Sequence, residues 1–298
     1  MKGLLIAALP DGSLEQATFE LFERANLPVY RRMPRNYTVE IGGGDIFSKG
    51  VIMRPQVIPD LVSRGDYDVG FCGEDCVFES GSSVEVVCRL AYSKVTSCAV
   101  KVVLFTHAEN PVEKAEDVPP QSTIVSEHPN CTRAHFQQLG IPVTVLQWPG
   151  KTESAVSSGT YAYGVCVSET HNTLTTNKLK VIGELFESHT VLIASPKALE
   201  DKAKKETIRL LELLLCGTLE SRDMVMLFMN VPVAVKKTIL GLLPALQQPT
   251  VSPLVNDGFV AINTVVSIEK VNDVIKNVLQ AGAQGVIQVP VTKLIRSW

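Results

Sequence analysis

Apolar runs alternate along the first part of the chain with apolar positions at helical spacing. Residues 3–9 (GLLIAAL) form a continuous apolar run, and after a turn the apolar positions between residues 14 and 25 recur every three or four residues. A second unit of the same kind has a strand at 51–53, a short helix around 58–62 and a strand at 67–71. The pattern predicts an α/β fold with a largely parallel sheet.

The pattern changes near residue 90, where a second α/β lobe is predicted to begin. Its expected elements are strands at 101–106, 122–126, 143–146 and 164–167 and a helix at 130–139. Apolar segments at 179–182 and 191–194 are expected to return the chain to the first lobe, and a long helix is predicted over 199–219. Two lobes joined by two crossovers enclose a cleft, where small-molecule sites are usually found.

The last part of the chain has a separate order of elements. Strands at 225–230, 250–254, 259–266 and 285–289 and helices at 234–243 and 268–280 give β-α-β-β-α-β, the ferredoxin-like order. Asn256-Asp257-Gly258 is a hairpin signal between the second and third of these strands. We therefore expect lobe I at 1–92 with 176–220, lobe II at 93–175 and a third, independent domain at 221–298.

Composition narrows the class of protein. The 298 residues carry 28 Lys and Arg against 31 Asp and Glu, a net charge of -3, which argues against nucleic acid as a partner. The apolar runs are far shorter than the ~20 residues that cross a bilayer, and the first run reads as a buried strand rather than a signal peptide. Seven Cys without a CxxC pair or zinc spacing read as reduced core thiols, so we expect a cytoplasmic protein without membrane or metal site.

Three segments carry candidate chemistry. Ser168-Glu169-Thr170-His171-Asn172-Thr173-Leu174 joins an apolar strand to a helical segment, where hydroxyls and loop amides form either an anion site or an ordinary helix cap. Residues 70–75 (GFCGED) form a strand-end turn whose glycines let backbone approach a ligand. Arg54 follows a strand directly and suits either phosphate binding or the plain surface. His171 is the one histidine in a candidate loop, whereas His128 and His135 are expected at the surface, and no catalytic triad follows from spacing.

An ordered set of motifs resembles the long form of ATP phosphoribosyltransferase, the first enzyme of histidine biosynthesis. The motifs are LPDGSL at 9–14, RPQVIP at 54–59, YDVGFCGED at 67–75, YSKVTS at 92–97, PNCTRAHF at 129–136, TE at 152–153, SETHNTL at 168–174, MNVP at 229–232, LLPALQQPTVSPL at 242–254 and AGAQGVIQVP at 281–290. The last three belong to the C-terminal regulatory domain that distinguishes the long form.

The resemblance implies a fold and a reaction. The fold has two lobes like type II periplasmic binding proteins plus a ferredoxin-like domain that binds histidine in feedback inhibition. In the reaction, N1 of ATP displaces pyrophosphate from the anomeric carbon of phosphoribosyl pyrophosphate, with Mg²⁺ on the pyrophosphate, which demands positioning and charge neutralisation. The resemblance also implies a homo-oligomer, a hexamer built from dimers.

The resemblance assigns roles to residues of this chain. Ser168, Thr170, His171, Asn172 and Thr173 would hold the 5-phosphate, Glu169 would lie by the ribose hydroxyls, and Arg54, with Arg35, would neutralise the departing pyrophosphate. The remaining expected residues are Asp11, Gly12, Gly73, Glu74, Asp75 and Glu153 in the substrate cleft and Asn230, Thr250 and Ser252 at the effector site.

Several positions depart from the family pattern. The family usually has PKGRL where this chain has Pro10-Asp11-Gly12-Ser13-Leu14, and Gly where it has His171; an acid is replaced by Cys166, basic residues by Cys98 and Glu127, and a common Trp by Cys76. Three hypotheses therefore stay open: a working transferase, a non-catalytic homologue that binds a small anion or histidine, and an enzyme recruited to another substrate. A positively charged pocket around 168–174 would favour the transferase, and its absence would favour the binding protein.

Overall fold

A computed structural model describes residues 3–34, 36–92, 99–169, 171–244 and 248–296. The chain divides into two compact units, one that ends at Glu212 and one that begins at Leu213. Arg35, Thr170 and Cys98, which the sequence analysis singles out, lie outside the described residues.

The first unit contains two sheets and the helices that cover them. Its strands are β1 (Leu5–Pro10), β2 (Val29–Tyr30), β3 (Thr38–Ile41), β4 (Phe47–Met53), β5 (Val69–Gly73), β6 (Glu85–Leu90), β7 (Val100–His107), β8 (Thr123–Ser126), β9 (Thr144–Gln147), β10 (Tyr163–Ser168), β11 (Leu179–Ser188) and β12 (Thr190–Ala194). Its helices are α1 (Glu15–Arg24), α2 (Ile58–Arg64), α3 (Glu74–Ser80), α4 (Pro129–Leu139), α5 (Thr152–Ser157), α6 (Asn172–Thr176), α7 (Pro196–Glu200) and α8 (Lys202–Glu220), the last of which continues into the second unit.

The first sheet is mixed rather than largely parallel, so that expectation is wrong. Among the described residues its strand order is β2-β3-β4-β1-β5-β12-β6, and only the pairs of β1 with β4 and β5 are parallel. β3 is antiparallel to β4 because a short connection reverses the chain, whereas β12 comes from a distant part of the chain and lies antiparallel to both β5 and β6. The two parallel pairs centre on β1, and the side chains of β1 and β5 are buried on both faces.

The second sheet has the order β11-β7-β10-β8-β9 within the described residues. β11 pairs with β7 from Leu179 to Ser188, so the segment expected to return the chain to the first lobe belongs to the second sheet. The return takes place at His189, and β12 then pairs with β5 in the first sheet. An apolar run shows that a strand is buried but carries no information about which sheet buries it.

The helix predicted over 199–219 is divided in two at Asp201. The backbone of Asp201 is extended, and its Oδ1 accepts hydrogen bonds from the amides of Ala203 and Lys204, at 2.9 and 3.2 Å. An aspartate in this position caps a helix, because the first amides have no acceptor within the helix. α8 therefore begins at Lys202 rather than near 199.

The second unit has the predicted β-α-β-β-α-β order. It comprises β13 (Met224–Pro232), α9 (Lys236–Leu242), β14 (Thr250–Pro253), β15 (Phe259–Ser267), α10 (Ile268–Gln280) and β16 (Gln284–Pro290). The sheet order is β14-β15-β13-β16, with antiparallel pairs throughout the described strands. Alternate residues of β13 and β15, including Leu227, Val231 and Ile262, pack against Val278 of α10 in the core. The fold class is confirmed: two α/β lobes followed by a ferredoxin-like domain.

In the part of the chain that the structure describes, no helix is both long and apolar enough to cross a bilayer.

Candidate active site

A cavity of about 400 Å³ lies in the first unit where the ends of β5 and β10 meet the crossover at residues 188–190. Four carboxylates (Asp75, Glu127, Glu153, Glu169) and three imidazoles (His128, His171, His189) are among its lining residues. None of the described lining residues is Lys or Arg. The described part of the lining therefore carries none of the permanent positive charge that the resemblance leads us to expect around the 168–174 loop.

The strand-end turn after β5 places two carboxylates in different surroundings. Gly73 has no room for a side chain, because a Cβ there would lie 2.0 Å from Asp75 Oδ1. Asp75 is buried, accepts a hydrogen bond from the Ser188 hydroxyl, and its Oδ2 lies 3.5 Å from His128 Nε2. Asp75 thus ties the start of α3 to the crossover and to the second lobe.

Glu74, the other acid of this turn, is not among the lining residues of the cavity and is paired with Arg89 and with His189 of the crossover. It accepts a hydrogen bond from Arg89 Nε at 2.7 Å and from the backbone amide of His189 at 3.2 Å, and His189 Nδ1 lies 3.1 Å away. Partial burial acts to raise the pKa of the Glu74 carboxyl, but the hydrogen bonds from Arg89 and His189 outweigh it and lower the pKa. Glu74 is therefore held ionised beside the crossover.

The loop after β10 is closed by its own side chains. His171 adopts a left-handed backbone conformation (φ +57°), its ring Nδ1 lies 2.8 Å from Ser168 Oγ, and its amide donates to the same hydroxyl. Ser168, Glu169, His171, Asn172 and Thr173 all line the cavity. The structure therefore brings together the described residues of the expected phosphate loop, with an imidazole at the position where the family usually has glycine.

Arg54 lies beside this cavity with a carboxylate as its partner. Arg54 Nε is 3.4 Å from Asp11 Oδ2, and the Arg54 side chain is 74% exposed. Gly12 has a positive φ of +71°, and Arg54 Nη1 lies 3.9 Å from the point where a Cβ of Gly12 would stand. Ser13, Leu14, Pro55 and Gln56 line the cavity, whereas Asp11, Gly12 and Arg54 are not among its lining residues. The chain thus places Arg54 next to the cavity, but Asp11 offsets its charge.

Glu127 and Glu153 form a second group of acids in the lining, on the second lobe. Burial raises the pKa of Glu127, and the nearby charges of Glu153 and Asp75 add to this, against the opposing influence of His128 and of a backbone hydrogen bond from Lys151. Burial also raises the pKa of the Cys166 thiol, which is hydrogen-bonded to Glu153. Cys166 is therefore a neutral thiol, in agreement with the expected core cysteine.

His128 corrects an expectation, because it is buried rather than at the surface. Its exposed fraction is 3%, and neither ring nitrogen has a hydrogen-bond partner among the described residues. A position directly before a helix suggests exposure, but α4 begins against α3, and Asp75 of α3 lies 3.5 Å from the imidazole. Sequence reasoning also missed Tyr92, Ser188 and His189 in the lining, since crossover residues carry no local signal.

In the second unit, the expected effector residues share one face of the sheet. Asn230 of β13 and Ser252 of β14 both pair with Ala261 of β15, and Thr250 stands two residues from Ser252. Side chains two residues apart or in register point to the same face of a sheet. Thr250 also lines a cavity of about 310 Å³ with Gln248, Asn263 and Arg296, whereas Asn230 and Ser252 do not.

Within the described residues no cluster of three or more His, Cys, Asp or Glu is arranged to hold a metal ion.

Comparisons with known proteins match both units. Residues 54–215 match a family model described as ATP phosphoribosyltransferase (HisG), and residues 221–293 match one described as the HisG C-terminal domain. ATP phosphoribosyltransferases from Desulfosudis oleivorans and Geotalea uraniireducens are each 36% identical over 296 residues, which is 99% of this chain and 100% of each relative. A solved ATP phosphoribosyl transferase (HisG:HisZ) complex from Thermotoga maritima superposes with a TM-score of 0.60 at 22% identity, over 73% of this chain and 99% of that one.

Proposed function

Because the chain belongs to the ATP phosphoribosyltransferase family, we propose that it joins N1 of the adenine of ATP to the anomeric carbon of phosphoribosyl pyrophosphate and releases pyrophosphate. The family carries out the first step of histidine biosynthesis, and its members are phosphoribosyltransferases. The observation that carries the proposal is similarity over the full length, including the C-terminal domain. The cavity supports it, because residues of the matched region meet there, namely Gly73, Asp75, Glu127, His128, Glu153, Ser168, Glu169, His171, Asn172 and Thr173.

The reaction needs alignment and charge neutralisation more than proton transfer. The N1 lone pair forms the new bond to the anomeric carbon as the bond to the pyrophosphate oxygen breaks, and that electron pair leaves with pyrophosphate. We assign the 5-phosphate to Ser168, Thr170, His171, Asn172 and Thr173 and the ribose hydroxyls to Glu169. Asp75 and Glu153 line the same cavity, with Gly73 beside them. Holding two reactants in the correct orientation lowers the activation barrier by roughly 7 to 11 kcal/mol in well-oriented systems.

The leaving pyrophosphate requires positive charge from outside the lining. We assign this to Arg54, with Arg35, and Arg54 must exchange Asp11 for pyrophosphate when the substrate binds. The family uses a divalent metal, which we propose to be Mg²⁺. In this proposal Mg²⁺ enters as its complex with the substrate, since Mg²⁺ is commonly bound through substrate phosphates.

One observation favours a second function, a catalytically impaired or repurposed homologue that binds a small anion or histidine. The described lining contains four carboxylates and no Lys or Arg, and the family's usual cations at the 9–14 turn are an acid and a hydroxyl here. Hydrogen bonds to charged groups contribute about 1.5 to 3 kcal/mol each, so the loss of several lowers catalysis by orders of magnitude.

One experiment separates the two functions. The purified chain is titrated calorimetrically with phosphoribosyl pyrophosphate and Mg²⁺, ATP is then added, and released pyrophosphate is measured. Binding with pyrophosphate release is expected from the transferase. Folded protein that neither binds nor releases pyrophosphate contradicts the transferase, and histidine becomes the next ligand to titrate.

We also propose histidine as a feedback inhibitor that binds the second unit at Asn230, Thr250 and Ser252, and a cytoplasmic homo-oligomer, a dimer or a hexamer. Histidine at 100 times its Kd stabilises its binding unit by about 2.7 kcal/mol. Thermal unfolding with and without histidine tests the site, and a Thr250→Ala, Ser252→Ala double variant is expected to lose the shift. Light scattering of the purified chain measures the oligomeric state.

A further inference from the structure

One face of α3 packs against the second lobe beside the cleft. Asp75, Phe78 and Glu79 stand at the i, i+3 and i+4 spacing that places residues on one side of a helix. Asp75 approaches His128 across the cleft, and the Phe78 ring lies 5.6 Å from the Phe186 ring of β11. α3 therefore follows directly from the first sheet, through β5, yet contacts the second lobe at successive positions.

The third contact is a helix cap supplied from the other lobe. The Glu79 carboxylate accepts hydrogen bonds from two backbone amides of α4. The Asn130 amide lies 2.9 Å from each carboxylate oxygen, and the Cys131 amide lies 3.1 Å from Oε2. The Asn130 side-chain amide donates back to the Glu79 carbonyl at 2.8 Å. His128, at the position before α4, makes no side-chain cap of its own. A carboxylate at this end of the 11-residue α4 satisfies orphan amides and favours the helix dipole.

The cap lies next to two residues of the cavity. Glu127 and His128 immediately precede α4, and the His128 backbone is fixed by Ser126 and Thr132 rather than by its ring. The start of α4 thus decides where the His128 imidazole and the Glu127 carboxyl stand relative to Asp75. Removing the Glu79 carboxylate takes away one of these three contacts between α3 and the second lobe and leaves the hydrogen bonds within α4 intact.

We propose that Glu79 is an interlobe clasp, a positioning residue that holds the start of α4 against α3 and so keeps the cleft closed around its substrates. Its effect on turnover rests on the proposed transferase function, whereas its effect on the two capped amides does not. Loss of the clasp favours the open cleft, so substrate binding must then supply the closure.

The test compares Glu79→Ala, Glu79→Gln and a matched control, Glu109→Gln, in the full chain. Glu109 is a carboxylate of the second lobe whose side chain is 92% exposed. Hydrogen exchange, resolved by fragmentation mass spectrometry, is expected to be about tenfold faster at the amides of Asn130 and Cys131 in Glu79→Ala, with amides 133–139 unchanged. The KM for both substrates is expected to rise about fivefold to tenfold with kcat within about twofold. Glu79→Gln keeps one acceptor oxygen, so its exchange rates and KM values are expected to be intermediate. Glu109→Gln is expected to give the same exchange rates and KM values as the unchanged chain.

Two results would overturn the clasp. Unchanged exchange at Asn130 and Cys131 in Glu79→Ala shows that the cap is not made in solution, and faster exchange with unchanged KM shows that the cap does not set the cleft. If the unchanged chain releases no pyrophosphate, the proposed function fails instead. The clasp is then tested by two other measurements, hydrogen exchange and the affinity for phosphoribosyl pyrophosphate with Mg²⁺. Affinity that falls in Glu79→Ala supports it, and unchanged affinity overturns it.

Discussion

At the scale of single residues, the pair of Arg54 and Asp11 sets the charge offered beside the cleft. Arg54 is largely exposed, and Asp11 places one carboxylate oxygen near it while its other oxygen, Oδ1, is buried without a hydrogen-bond partner among the described residues. An exposed ion pair contributes about 0 to 1 kcal/mol to stability, so a pyrophosphate can displace the Asp11 carboxylate from Arg54. The carboxylate still competes with the pyrophosphate for the guanidinium. The same guanidinium is thus held in place and partly neutralised.

Asp11→Asn is expected to strengthen substrate binding. The substitution removes the competing charge and keeps the shape, so the KM for phosphoribosyl pyrophosphate should fall by up to about fivefold. Initial-rate kinetics at saturating ATP measure the change. Glu40→Gln, which releases the exposed Arg32 in the same way, serves as the control and should leave KM unchanged. An unchanged KM in Asp11→Asn would remove Arg54 from the pyrophosphate site.

Glu127→Gln is expected to stabilise the protein in a way that depends on pH. Burial, with Glu153 and Asp75, raises the pKa of Glu127 in the folded protein above its ordinary value. The wild-type chain therefore loses stability as pH rises from about 4.5, where the unfolded chain ionises, through the raised pKa. The glutamine of Glu127→Gln does not ionise, so the variant keeps its stability over this pH range. The Tm difference between variant and wild type should therefore increase by about 2 to 4 °C as pH rises across the window and stay constant above it. Scanning calorimetry at several pH values measures it.

The exposed Glu109→Gln serves as the control for this comparison, because its Tm difference from wild type should not vary with pH across the same window. A difference that is flat with pH in Glu127→Gln as well would mean that the carboxyl of Glu127 is solvated rather than buried.

At the site, the sequence predicted the loops but not the partners of their side chains. The described residues of the loop after β10, with Gly73 and Asp75, do line one cavity because strand ends of α/β lobes meet at the cleft. The expected surface position of His128 was wrong, since its burial depends on α3, which stands some 50 residues away in the chain. The pairing of Arg54 with Asp11 follows from the folded strand ends rather than from any local pattern.

At the scale of elements, α2 packs on the central strands through a glycine. A Cβ at Gly70 of β5 would lie 2.4 Å from Ile58 Cγ2 and 2.9 Å from Val62 Cγ2, both on α2. Such close packing leaves no space for a methyl group, so the helix must shift if one is added. Gly70 therefore fixes how near α2 approaches the sheet.

Gly70→Ala is expected to destabilise the protein by about 1 to 3 kcal/mol, because the added methyl overpacks the core. Urea denaturation followed by circular dichroism measures it. The comparison variant is Gly241→Ala in α9, where a Cβ meets open space and helix propensity predicts a gain of about 0.5 to 1 kcal/mol. Equal effects at both sites would contradict the packing argument.

Most elements follow from periodicity, and the exceptions have a common cause. The strands β1, β5 and β7 are found close to their predicted positions because they are largely apolar runs, whereas β4 begins at Phe47 rather than at residue 51 because polar residues interrupt its apolar pattern. The strand β3 and the edge strand β6 were not predicted, since their alternating or exposed residues give only a weak signal. The placement of β11 in the second sheet was not predicted, because an apolar segment does not show which of two sheets it joins.

At the scale of the whole molecule, the two units differ in how far sequence determines them. The second unit was predicted in order and topology because its β-α-β-β-α-β pattern is local and continuous in the chain. The first unit is assembled from distant segments, as when β12 returns to lie between β5 and β6. Such pairing depends on contacts more than 100 residues apart, which one sequence does not reveal.

The acidic lining of the cleft has a consequence for how fast substrates arrive. Enzymes that collect polyphosphates with lysine and arginine slow down as ionic strength rises, because salt screens the attraction. Here Asp75, Glu127, Glu153 and Glu169 repel an incoming anion, with no described Lys or Arg in the lining to oppose them. Stopped-flow measurement is therefore expected to show association of phosphoribosyl pyrophosphate becoming faster, by about two- to fivefold, between 20 and roughly 200 mM salt. Association that slows with salt would show that cations outside this lining govern the encounter.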